Sequence, residues 1–217
     1  VQPWREKFPE SEDVIGHYSF GSEVRNPVAA FPGMMTRLDV TVERILDLLK
    51  ELDLDEKTIV IFSSDNGPHR EGGHRSDLFQ SSGPFRGLKR DLYEGGIRVP
   101  MLVRWPGKIK PESVSDHIGA FWDVLPTFAE LAGLSPAEYP DDLEGLSFLP
   151  TLLGDVESQK EHRYLYWEFY EQKGKIAARY GKWKGIQLNV SETFGDSNAA
   201  IELYDLENDP GETKDIA

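Results

Sequence analysis

The stretch that most limits the fold is Thr58-Ile59-Val60-Ile61-Phe62, a continuous apolar run rich in β-branched side chains that comes after an amphipathic segment. Such a run, with no polar alternation, reads as a strand covered on both faces, the usual condition of a strand in an α/β sheet. Ahead of it, Met35, Leu38, Val42, Ile45, Leu46 and Leu49 recur at spacings of three and four, the stripe of a helix, with Pro32 and Gly33 marking its predicted start. A second apolar run, Val99 to Val103, ends at Trp105-Pro106-Gly107, and Trp122 to Leu131 reads as a short helix that stops at Gly133. The predicted class is therefore α/β. After Gly154 the texture changes to aromatic, alternating stretches at Tyr164–Tyr170, Ile176–Leu188 and Ile201–Leu206, joined by turns at Lys173-Gly174 and Gly181-Lys182. These predict a small antiparallel sheet, so the expected organisation is an α/β body over 1–154 and an appended subdomain over 155–217. The first thirty or so residues carry Trp4, Phe8, Tyr18 and Phe20 without any period and read as loop.

Charge narrows the partners. The chain has 38 acidic and 24 basic residues and a formal charge of −14, which argues against coating nucleic acid or an anionic membrane. No window reaches the roughly 20 apolar residues of a membrane span, and the opening VQPWREKFPE lacks the layout of a secretion signal. There is no cysteine, which excludes disulfides, a zinc–thiolate site and a cysteine-derived nucleophile while leaving the compartment open.

Between the two predicted strands, Gly67 to Gly96 holds seven glycines and two prolines. Connections in compact domains usually have about 4–6 residues, and loops this long usually serve function. Asp65 and Asn66 stand where the first strand ends, the edge at which α/β sheets bind ligands. A carboxylate and an amide carbonyl are hard oxygen donors suited to Ca²⁺ or Mg²⁺, although a complete calcium shell takes about 6–8 oxygens. The same four residues, Asp65-Asn66-Gly67-Pro68, are also favoured in a plain turn. Lys89 in RGLKRDLYEGGIRVP suits a sulfate or phosphate oxygen, or else belongs with Arg86, Arg90 and Arg98 to a solvated basic loop. Glu94 and Arg98, four apart, are expected to pair as bracing, and Gly95-Gly96 to supply a positive-φ turn. His69 and His74 flank Glu71; without a third imidazole or thiolate they are read as pocket-lining rather than metal-binding, and His69 could donate to an anion when protonated. His17, His117 and His162 are expected on the surface. Trp167, Tyr170, Trp183 and the turn NVSETFGDSN either line an entrance or pack the small sheet, packing being the default for aromatics in strands.

Four blocks in order, TIVIFSSDNG, GPFRGLKRDLYEGGIRVPMLVRWPG, DVLPTFAELAG and LYDLENDPGET, together with the helix TRLDVTVERILDLL, resemble the C-terminal half of type I sulfatases. The resemblance implies an alkaline phosphatase-like α/β fold with a small C-terminal antiparallel sheet. It implies hydrolysis of sulfate esters of small molecules or glycans, with a formylglycine nucleophile and one divalent cation, usually calcium. Asp65 and Asn66 match the later pair of metal ligands and Lys89 the lysine that contacts sulfate; His69 is a pocket candidate. A periplasmic or secreted setting is implied as well.

The C/S-x-P/A-x-R pattern that yields formylglycine is met in the chain only by Ser82-Gly83-Pro84-Phe85-Arg86, which follows the Asp65-Asn66 pair inside the block that carries Lys89, and the family's early paired aspartates, lysine and histidine have no counterpart. The expectation is thus a C-terminal portion of a sulfatase whose partner is the N-terminal half of the same protein, inactive alone. A related phosphodiesterase or phosphonate hydrolase, or a non-catalytic sulfatase-like binding module, are the other readings.

Overall fold

A computed structural model describes residues 2–193, 195, 196 and 199–217. The chain forms two compact units: Val1–Asp55 with Ser63–Pro100 and Tyr204–Ala217, and Glu56–Phe62 with Met101–Leu203.

In the first unit the N-terminal residues, expected as loop, are structured. Helix α1 (Gln2–Lys7) is tied down by the Trp4 indole, whose Nε1–H donates to Thr36 Oγ1 at 3.1 Å. Strands β1 (Ile15–His17) and β2 (Glu23–Arg25) form an antiparallel hairpin with Gly16 opposite Val24. A three-residue strand is too short for any period to show in the sequence. The long helix α2 (Pro27–Glu51) begins five residues before Pro32. Asn26 is its cap: Oδ1 accepts from Ala29 N–H at 3.0 Å, and Nδ2 donates to Phe8 O and Glu12 Oε2. Pro27 then occupies the first helical position, where a missing N–H costs nothing. The true start signal is therefore the Asn-Pro pair, and Pro32 lies inside the helix. Only Pro27, Val28, Ala29, Pro32 and Gly33 are buried in α2; of the predicted stripe, Val42, Leu46 and Leu49 are half-buried and Met35, Leu38 and Ile45 exposed. The short helix α3 (Glu94–Ile97) closes the glycine-rich segment, with Leu92, Tyr93 and Glu94 buried around it.

In the second unit, β3 (Val60–Ser63, its last residue belonging to the first unit) pairs with β4 (Met101–Arg104) in a two-stranded sheet; the apolar runs do form strands, but β3 is half-buried and Met101 and Leu102 of β4 are exposed, so neither is covered on both faces as expected. A 3-10 turn at Phe121–Asp123 leads into α4 (Val124–Leu131), and Gly133 comes next but one with φ +84°. Helix α5 (Leu149–Leu153) is capped by left-handed Gly154. Beyond it, β5 (Leu165–Phe169), β6 (Lys175–Tyr180) and β7 (Trp183–Leu188) run antiparallel, and β8 (Glu202–Asp205, its last two residues belonging to the first unit) completes the order β5-β6-β7-β8 after helix α6 (Val190–Thr193). The register places Trp167, Ala177 and Ile186 side by side on one face, where the last two are buried. Trp167 lies 6.2 Å from Trp122, the packing expected of it, whereas Tyr170 is 84% exposed and its hydroxyl donates to Glu168. In NVSETFGDSN, Phe194, Ser197 and Asn198 lie outside the described residues. The fold is mixed α/β with small antiparallel sheets, as the sequence implies.

Two histidines expected on the surface are not there. His162 is 10% exposed and its Nε2 lies 2.8 Å from Asp123 Oδ1, while His117 is half-buried in the same neighbourhood. Asp123 is fully buried and accepts from Ala120 N–H (2.7 Å) and Leu146 N–H (2.8 Å) as well as facing His162. The carboxylate thus ties three segments together. Neither histidine has a period or a partner in sequence that could have betrayed this.

Candidate functional site

The site is built within the first unit, starting at the turn where β3 ends. After Ser63 the backbone bends through Ser64 to Gly67; Ser64 Oγ donates to Asn66 O at 2.9 Å, holding the turn. Asp65 is exposed and Asn66 half-buried. The Asn66 amide donates through Nδ2 to Gly67 O at 2.9 Å, which leaves Oδ1 as its acceptor. Among the described residues no three His, Cys, Asp or Glu side chains come together in a way that could hold a metal. Asp65 and Asn66 offer two hard oxygens, a donor set that suits calcium or magnesium and needs completion from elsewhere.

Two backbone bonds bring the basic segment to this turn. Gly67 N–H donates to Gly96 O at 2.8 Å, and Lys89 N–H donates to Pro68 O at 2.8 Å. The Lys89 backbone thus lies against the turn that carries Asp65, although the two residues are 24 apart in sequence. The approach works only because Gly67 has no side chain: a Cβ there would fall 1.9 Å from Gly95 O. Gly95 and Gly96 serve the same purpose. A Cβ on Gly95 would lie 2.4 Å from Gly87 O, and one on Gly96 2.1 Å from Asp91 O, so these glycines allow backbone-on-backbone packing. They do not make the positive-φ turn expected of them; that conformation occurs at Gly72, Gly73, Gly83 and Gly87 instead.

His69 stands between two charges. Arg90 Nη1 lies 3.1 Å from His69 Nε2, and Glu71 Oε2 lies 3.5 Å from Nδ1. A guanidinium can only donate, so Arg90 is the donor to Nε2, while Nδ1 lies 3.4 Å from the backbone N–H of Glu71 as well as facing its carboxylate. Arg90 itself has φ +78°, a left-handed backbone rare for a non-glycine residue. Glu71 Oε1 accepts from Ser19 Oγ at 2.6 Å. That bond, helped by the nearby charges of His69, Arg90 and Lys89, holds the Glu71 carboxyl below its ordinary range. Lys89, Arg90, His69, Glu71 and Ser19 therefore form one charged group. Sequence reasoning misses Arg90 and Ser19: Arg90 is one cation in a basic run, and Ser19 lies in a stretch with no pattern.

The rest of the basic run is scaffold. Arg86 Nη1 donates to Tyr204 OH (2.9 Å) and Glu212 O (3.1 Å), and its guanidinium stacks 3.9 Å over Tyr93. Arg98 pairs with Glu94 at 3.6 Å, the predicted brace, and covers Phe85. Glu212, fully buried, accepts from Glu94 N–H at 2.6 Å. His74 is set apart from the charged group: Nε2 contacts Ser81 Oγ at 2.9 Å and the ring lies 3.8 Å from Phe31, and burial pushes it below the usual imidazole range.

Comparison with known proteins relates the chain to one family. The sulfatase family model covers residues 3–134, and the model of the N-sulphoglucosamine sulphohydrolase C-terminal region covers 86–217. The chain is 33% identical over 212 residues to steryl-sulfatase of Mus musculus, covering 86% of this chain and 33% of that protein. It is 39% identical over 189 residues to N-acetylgalactosamine-6-sulfatase of Homo sapiens, covering 79% and 33%. Among solved structures, BT4656 in complex with its substrate D-glucosamine-2-N,6-O-disulfate superposes with a TM-score of 0.67 at 25% identity, over 88% of this chain and 36% of that one. The chain spans about a third of the length of these relatives. By both family models and by its relatives, the chain belongs to the sulfatase family.

Proposed function

We propose that the chain supplies the cation-binding acid–amide pair and the sulfate-binding lysine of a sulfate ester hydrolase. The observation that carries this is the pair of backbone bonds, Gly67 to Gly96 and Lys89 to Pro68, that set Lys89 beside the Asp65-Asn66 turn. Asp65 and the Asn66 Oδ1 would hold a divalent cation, calcium or magnesium, together with oxygens from other segments. When bound, that cation neutralises negative charge on the sulfate oxygens. Lys89 presents a compact ammonium to a sulfate oxygen and steadies the charge that grows as the alcohol departs. His69, held by Arg90 and Glu71, lines the same rim. The nucleophile, a formylglycine in this reading, comes from a further segment rather than from Ser82, because the arginine of that pattern, Arg86, is committed to Tyr204 and Glu212; the remaining ligands come from further segments too. The substrate is a sulfated small molecule or glycan, and a periplasmic or secreted setting accords with the family resemblance. Among the described residues no helix is long and apolar enough to cross a membrane.

The test uses the 217-residue chain directly. Calcium and inorganic sulfate are titrated by calorimetry against the wild type, Asp65→Ala and Lys89→Ala. Asp65→Ala should abolish the calcium response and Lys89→Ala the sulfate response. Hydrolysis of an aryl sulfate by the isolated chain should be absent with or without calcium. Saturable turnover, or binding untouched by either substitution, overturns the assignment.

A further inference from the structure

The β1–β2 hairpin has a role that its residues in sequence give no hint of. Its tip is held rigidly: Tyr18 N–H donates to Ser22 O and Gly21 N–H to Tyr18 O, each at 2.9 Å, with Gly21 at φ +88° completing the turn. On this tip Phe20 is 74% exposed, yet its ring lies parallel to Tyr18, with centroids 5.1 Å apart and planes at 13°. Tyr18 in turn rests on Gly72, where an added Cβ would fall 2.8 Å from the phenol ring. Between the two aromatics Ser19 reaches down to Glu71, and Glu71 faces His69, which touches Arg90. Phe20 thus stands next in sequence to Ser19, which holds the ionised Glu71 carboxylate, and the Lys89 and Arg90 charges act on that same carboxylate.

An exposed aromatic is ordinarily a hydrophobic cost at the surface, and here an ordered loop and a stacked neighbour keep it in place. Each oxygen of Glu71 is engaged once and keeps a lone pair for a further donor. A ligand that fits all three features has an apolar C–H face, hydroxyl donors and an anionic group. We propose that Phe20 and Glu71 form the ring-side subsite for a sulfated pyranose: the sugar's C–H face stacks on Phe20, a ring hydroxyl donates to Glu71, and the sulfate points to Lys89. This rests on the function proposed above and names the substrate class as sugar rather than aryl or steryl sulfate, since a pyranose sets several ring hydroxyls beside a C–H face and a simple aryl or steryl sulfate does not.

Saturation-transfer NMR and titration of the 217-residue chain, with an N-acetylhexosamine 6-sulfate, the unsulfated sugar, an aryl sulfate and inorganic sulfate, test the subsite. The wild type should transfer magnetisation to the sugar C–H protons. Phe20→Ala should weaken both sugars about tenfold, the scale of one aromatic contact, and leave inorganic sulfate unchanged. Phe20→Trp should restore sugar binding, and Glu71→Gln should weaken the sugars while keeping the transfer. Phe20 is exposed enough that its substitutions leave folding intact, which far-UV circular dichroism checks. If Phe20→Ala binds both sugars as the wild type does, or the wild type binds sulfate but neither sugar, the subsite is refuted while the sulfatase function stands. If sulfate fails to bind and sugars still lose affinity in Phe20→Ala, the subsite holds and the function falls. Absence of all binding overturns both.

Discussion

Gly67→Ala probes the contact on which the site depends. The added Cβ would meet Gly95 O at 1.9 Å, against 3.4 Å for ordinary contact, so the two backbones must part by 1.5 Å. Neither side of this contact is a flexible side chain that could swing away. Parting by that amount stretches the 2.8 Å bond from Gly67 N–H to Gly96 O beyond any hydrogen-bonding distance. Leaving those buried groups unpaired costs about 1–3 kcal/mol, and the overpacking a further 1–3 kcal/mol, for a total of about 2–6 kcal/mol. That is a large share of the roughly 5–15 kcal/mol that holds a domain together. Gly83→Ala is the control. Gly83 also sits in the glycine-rich segment, at φ +58°, but with open space around it, so it suffers only the left-handed backbone penalty of about 1–2 kcal/mol. Urea unfolding gives the global difference, and native-state amide exchange gives the local one. In Gly67→Ala the Gly67 and Lys89 amides should exchange much faster than in Gly83→Ala, because both bonds bridge the segments being forced apart. If Gly67→Ala keeps its urea midpoint and the Lys89 amide stays protected, the backbone contact does not set the site.

Asp123→Ala removes a fully buried carboxylate that accepts from Ala120 and Leu146 and faces His162, and should cost about 3–5 kcal/mol in urea unfolding, with Asp123→Asn losing less. Burial pushes both His74 and His117 below the ordinary value of 6.5, against the opposing pull of Asp77 and Asp123 respectively. The unfolded chain therefore takes up these protons first, so stability is full above pH 6.5 and falls as pH drops below it; His74→Phe should flatten the urea midpoint between about pH 7 and about pH 5. Calcium at a hundredfold excess over its dissociation constant should raise the stability of the chain by about 2.7 kcal/mol, chelation should reverse this, and Asp65→Ala should show no change in thermal midpoint. Arg86→Ala should lower the thermal midpoint without altering affinity for inorganic sulfate, since its guanidinium serves Tyr204 and Glu212; loss of sulfate affinity with an unchanged midpoint would assign it to the site instead.

What can be read from sequence is what repeats or runs. The apolar strands β3 and β4, the stripe of α2 and the alternating aromatics of β5 to β7 each leave a local signature, and each is where the pattern puts it. The ends of elements are less legible. Pro32 and Gly33, both usual breakers, point to a start of α2 there, yet Asn26 and Pro27 already supply a cap and a first helical residue. The site is half legible. Asp65, Asn66 and Lys89 stand in conspicuous motifs. Ser19, Glu71 and Arg90 acquire meaning only through contacts between residues 52 and 21 apart, and Asp123 with His162 through one 39 apart. The glycines show the same limit from another side. Gly95 and Gly96 are identical in sequence to residues that make turns, and only the carbonyls pressed against them reveal that they are there for closeness.

The attachment of Arg86 and Glu94 to Tyr204 and Glu212 reaches across 118 to 126 residues. During synthesis at about 5–20 residues per second, the glycine-rich segment leaves the ribosome several seconds before the residues that brace it exist. The rim carrying Lys89 is thus braced only once residues 204 to 212 have been made, and a nascent polypeptide that already has its helix α2 and hairpin still lacks these supports.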